Sequence, residues 1–63
     1  MNKWELKLKF TLDYIKAMIE YAEKVNSNKE SEEYKEALFY WVQNEYENYK
    51  TEWEQENGKL EDV

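Results

Sequence analysis

Cysteine, histidine, arginine and proline are all missing from these 63 residues, and glycine occurs once, as Gly58. Without cysteine there is no disulfide and no thiolate nucleophile. Without cysteine and histidine, the zinc-binding patterns and the imidazole-based catalytic triads are excluded. A single glycine cannot build a phosphate-cradling loop. The longest apolar run is the six residues 37–42, far short of the ~20 that span a bilayer. Lys3, Glu5, Lys7 and Lys9 place charges where a signal peptide needs an uninterrupted apolar core. No Asn-x-Ser/Thr acceptor is present. A soluble, cytoplasmic protein is expected, with no membrane partner.

Carboxylates are the only abundant reactive groups. Acid/base catalysis needs two of them across a cleft, one with its pKa raised by burial. A di-metal site in a helix bundle draws on Glu-x-x-His, and histidine is absent. The loop at 26–31 lacks the alternating acids of a calcium hand. No enzyme, cofactor or metal site is expected.

What is present is unevenly distributed. Residues 1–29 hold six lysines against four acids, a balance of +2. Residues 30–63 hold three lysines against eleven acids, a balance of −8, and the two sum to the net −6. Seven of the eleven aromatics also fall in the acidic half: Tyr34, Phe39, Tyr40, Trp41, Tyr46, Tyr49 and Trp53. So many rings argue against a disordered chain, despite the high charge. The abundance of Lys, Asn, Glu, Tyr and Ile with no Arg or Pro is what AT-rich codons give, which points to a bacterium, its phage or its plasmid.

One small domain, residues 1–63, is the expected organisation. The polar cluster at 26–31 reads as a loop between two periodic segments. Ser31 followed by Glu32 and Glu33 is an N-cap with acids in the first turn, and Ser27 with Glu30 is a rival capping box. A second helix is expected over 31–57, ending at Gly58 in a left-handed conformation, with 58–63 as a frayed tail. At about 100° per residue, Leu38, Val42, Tyr46, Tyr49 and Trp53 share one stripe, with Phe39 at its edge. Tyr40 lies opposite that stripe and Trp41 to its side.

The first segment supports two readings. Trp4, Leu6, Leu8, Phe10 and Leu12 alternate with polar residues, as a half-buried strand does. Yet Glu, Leu and Lys form helices well, and nothing breaks the chain before Asn26. Leu8, Leu12, Ile15, Ile19 and Ala22 follow the 4-3-4-3 spacing of a packed helical seam. The expected fold is all-α, a helical hairpin with helix one within 3–26, paired as a dimer. A strand over 3–12, with Asp13 capping the helix behind it, is the alternative.

A chain this short buries only ~60% of its unfolded surface, so self-association or a partner is expected. The acidic, aromatic second half suits a partner with a basic surface. The contact patch is expected at Tyr34, Phe39, Tyr40 and Trp41, with Glu36, Gln43, Glu47 and Glu54 supplying the polar and acidic groups. Eight acids over 32–56 give one charge per ~4.6 Å of helix, against ~3.4 Å along a DNA strand. Nucleic-acid mimicry is thus dilute in a monomer and denser in a dimer. Direct nucleic-acid binding is not expected, because the acidic half repels phosphate. The functional expectation is a small, acidic, non-enzymatic inhibitor or adaptor, phage- or plasmid-encoded, that docks on a basic surface of a larger protein that handles nucleic acid. The alternative is a structural homo-oligomer whose aromatics form its core and whose acids only solvate it.

Overall fold

A computed structural model describes residues 3–60 of the chain. Three helices follow one another: α1 (Lys3–Val25), α2 (Glu32–Asn44) and α3 (Tyr46–Asn57). No strand occurs among the described residues. The strand alternative for 3–12 is therefore corrected, and the alternation that suggested it has another cause. Two residues turn a helix by about 200°, so successive apolar side chains fall on opposite faces. Leu6 and Phe10 point inward and are buried, whereas Trp4, Leu8 and Leu12 point outward. Asp13 lies within α1 rather than capping its start.

The loop is held by its own side chains. Asn26 Oδ1 accepts from the Asn28 backbone N–H at 2.9 Å, and Asn28 Oδ1 accepts from that of Glu30 at 3.1 Å. These Asx turns close the chain without glycine or proline. Ser31 is the N-cap of α2, its hydroxyl accepting from the Glu33 N–H at 3.1 Å. Ser27 plays no such part, because α2 begins a full turn later.

The helix expected over 31–57 divides at Glu45, whose φ of −111° departs from α geometry. Packing gives the reason. The inward side chains are Tyr34, Ala37 and Trp41 in α2, then Tyr46, Tyr49 and Trp53 in α3. Between Trp41 and Tyr46 the step is five residues, and five residues over-rotate a regular helix by about 140°. The break resets the phase so that both segments face α1. The stripe through Leu38 and Val42 is corrected accordingly: Val42 is exposed, and Trp41 takes the inward position.

Ala22, Tyr34 and Ala37 form the cluster near the loop, with Ala22 wholly buried. At the other end, Leu6, Phe10 and Trp53 form a second cluster with Tyr14, Tyr46 and Tyr49 against it. Trp41 joins the two, stacked on Tyr14 at 6.3 Å and tilted on Tyr49 at 5.5 Å. Phe10 meets Trp53 edge-on at 5.1 Å and Tyr46 at 5.9 Å. These offset and edge geometries are the favourable ones for aromatic pairs.

Gly58 ends α3 with a positive φ of 109°, as expected, but its ψ of 155° is extended rather than left-handed helical. That region is open almost only to glycine. It turns the chain back, so that the Leu60 N–H donates to Glu54 at 2.8 Å and the Leu60 side chain packs on the Phe10 cluster. The start of the expected tail is thus docked, and 61–63 lie outside the described residues.

Candidate functional site

The eight residues expected at a contact patch separate into two groups. Tyr34 and Trp41 are interior, only 6% and 5% exposed, and their rings serve the core. Glu54 is half-buried and its carboxylate holds the Leu60 N–H. Glu36, Phe39, Tyr40, Gln43 and Glu47 are exposed. Of these, Glu36, Phe39, Tyr40 and Gln43 stand at i, i+3, i+4 and i+7, which is one face of α2. It is the face turned away from Tyr34, Ala37 and Trp41. Glu47 lies beyond the break, at the start of α3.

Phe39 is 64% exposed and Tyr40 49% exposed on this face. Glu32 and Glu33 occupy its N-terminal end, where the helix dipole favours them. The single lysine of α2, Lys35, lies at the edge, with Nζ 4.0 Å from Glu32. The face is therefore acidic and aromatic together.

Tyr40 also lines a cleft between α1 and α2. Its ring stacks on Tyr21 at 6.0 Å with 17° between the planes. Tyr21, Val25, Glu33, Glu36, Ala37 and Tyr40 enclose about 370 Å³ there. Two carboxylates at the rim of an apolar, π-rich cleft suit the stem and head of a lysine or arginine side chain. Tyr21 and Val25 were not expected at the patch. Their sequence positions give no sign of it, since pairing with α2 depends on the rotation of α1 about its own axis.

A second cleft of about 430 Å³ lies at the α2–α3 break, lined by Trp41, Glu45, Asn48, Tyr49, Thr51 and Glu52. Burial pushes the Tyr49 phenol above its ordinary pKa of 10.0, and the charges of Asp13, Glu56 and Glu20 push it in the same direction. At neutral pH this phenol is an uncharged hydrogen-bonding group. Among the described residues no three acids gather to hold a metal ion, and no helix is long and apolar enough to cross a membrane.

The chain matches no family model, no curated protein and no solved structure.

Proposed function

We propose that the chain is a non-enzymatic protein-binding module, a small acidic inhibitor or adaptor that docks on the basic surface of a larger protein. The observation that carries this reading is the exposure of Phe39 and Tyr40 on the same helical face as Glu32, Glu33 and Glu36. Large aromatic side chains supply most of the binding energy at protein interfaces, and complementary charge sets the rate and orientation of approach. In this reading a lysine or arginine of the partner enters the cleft between α1 and α2, beside the stacked rings of Tyr21 and Tyr40, with Glu33 and Glu36 beside its charged head. A partner that handles nucleic acid already presents such a basic groove. The carboxylates then act as substitutes for phosphates, in two short rows set apart by the break at Glu45.

The test compares the wild-type chain with the variant Phe39→Ala/Tyr40→Ala as baits in a lysate of the source cells. A specific partner captured by the wild type is expected, with loss in the variant and weakening as salt rises. Equal capture by both baits, or capture indifferent to salt, overturns the reading. The second reading, a structural homo-oligomer, draws support from the apolar surface of α1.

A further inference from the structure

We infer that α1 carries a self-association face, and that its occupant is α1 of a second copy of this chain. This goes beyond the docking face on α2 and uses different residues. Trp4, Leu8, Leu12 and Ile15 are 79%, 59%, 59% and 37% exposed. They follow one another at steps of four, four and three, a single stripe along the helix. Ile19 continues it to Ala22, which is buried under α2. This is the seam that the 4-3-4-3 spacing marks, yet the chain buries the other face of α1, through Leu6 and Phe10.

Val42 is a further exposed apolar side chain, on α2. Leu38 and Tyr40 lie on opposite flanks of α2, about 160° apart. Tyr40 stacks on Tyr21 on one side of the molecule, while Leu38 packs against the Ala22 cluster. Val42 follows Leu38 by one turn, farther from the loop and next to Trp41, and is 47% exposed.

The molecule measures 38 × 18 × 14 Å across its Cα atoms. It leaves 4,923 Å² accessible, against ~4,400 Å² for a typical folded monomer of its mass. The stripe amounts to on the order of 500 Å² of apolar surface, at the upper end for the largest patch on a monomer. Doubled across a two-fold axis, with its polar border, it reaches the roughly 1,200 Å² at which specific interfaces begin.

Charge selects the second copy as occupant. α1 carries five lysines and four acids, a balance of +1, whereas the rest of the chain carries −7. Glu5, Lys9, Lys16 and Glu23 border one edge of the stripe, two of each sign, and Lys7, Thr11 and Met18 border the other, so the whole border has a balance of +1. Two chains of −6 meet through α1 with less repulsion than through the acidic remainder of the chain. Their acidic α2 faces then point outward and remain open to a partner.

Sedimentation equilibrium of the full chain, across concentration and at low and moderate salt, tests this. A mass of twice 7.9 kDa is expected, unchanged or favoured as salt rises. Leu8→Lys/Leu12→Lys is expected to raise the dimer dissociation constant at least ~100-fold with helicity kept. A wild-type monomer at every concentration overturns the inference, as does a double variant that still dimerises. Should the double variant lose its helicity, single cysteines decide. Oxidation should link chains carrying Cys along the stripe, at Leu8→Cys, Leu12→Cys or Ile15→Cys, and not at Gln43→Cys. Equal linking at all four sites overturns the inference. Dimerisation that resists salt, beside partner capture that does not, lets either proposal fail without the other.

Discussion

The indole N–H of Trp53 donates to a carboxylate oxygen of Asp13 at 2.9 Å, joining α3 to the middle of α1 across forty residues of sequence. Trp53 is 5% exposed, so its donor has little access to water. A buried donor left without an acceptor costs about 1–3 kcal/mol. Asp13→Ala is therefore expected to lower stability by that amount in urea unfolding. Asp13→Asn keeps an acceptor at the same place and should lose clearly less. Equal losses would show that the carboxylate matters only as charge.

Trp41 and its neighbours in sequence part company in the same way. Trp41→Ala removes a ring packed on Tyr14, Tyr46 and Tyr49 and is expected to cost about 3–5 kcal/mol. In a domain this small, that is most of the total. Phe39→Ala should stay within about 0.5 kcal/mol, because its ring is 64% exposed and stacks on no other ring among the described residues. Tyr40→Ala loses the stack on Tyr21 and should cost roughly 0.5–1.5 kcal/mol. Thermal melts followed by circular dichroism rank the three, and a stable Trp41→Ala chain would contradict the core assigned here.

This division marks how far the sequence could be read. The helices beyond residue 12, the loop at 26–31 and the positive φ of Gly58 are local properties that local chemistry announces, whereas 3–12 also reads as a strand and Ser31 has a rival cap in Ser27. Which side of each helix faces inward is not local. The inward step from Trp41 to Tyr46 breaks the helical period, so a pattern laid on an unbroken helix put Val42 where Trp41 belongs. On α1 two apolar rows compete for one inward position, and the spacing of Leu8, Leu12, Ile15 and Ile19 is as regular as that of Leu6, Phe10 and Tyr14. The choice falls to the row that meets the aromatics of α3. The same ambiguity hid the Tyr21–Tyr40 cleft, which no single segment encodes.

The loop offers a smaller, cleaner test. Ser31 Oγ accepts from the Glu33 N–H at 3.1 Å and from Asn26 Nδ2 at 3.1 Å, so one hydroxyl serves both the helix start and the loop. Ser31→Ala is expected to cost about 1 kcal/mol, and Ser31→Asp, which still caps, less. Ser27→Ala should cost almost nothing, since the rival cap is unused. A loss at Ser27 matching that at Ser31 would place the start of α2 a turn earlier.

Tyr49 makes stability depend on alkaline pH. Burial first, and then the charges of Asp13, Glu56 and Glu20, hold its phenol above the ordinary value of 10.0. The folded chain thus keeps a proton that the unfolded chain releases, and folding binds protons in that interval. The stabilisation is complete below about pH 10, where both states are protonated. It is lost as pH climbs from there through the raised folded value. Phenylalanine at this position has no proton to lose. Melting temperatures of the wild type and Tyr49→Phe, taken from pH 8 upward, should differ by a constant offset until about pH 10. Above it the wild type should fall more steeply, because its folded state resists an ionisation that the unfolded state undergoes. Every other ionisable group is common to both chains, so only the difference between the curves reports on Tyr49. Curves that stay parallel would mean that the phenol ionises as freely in the folded chain as in the unfolded one.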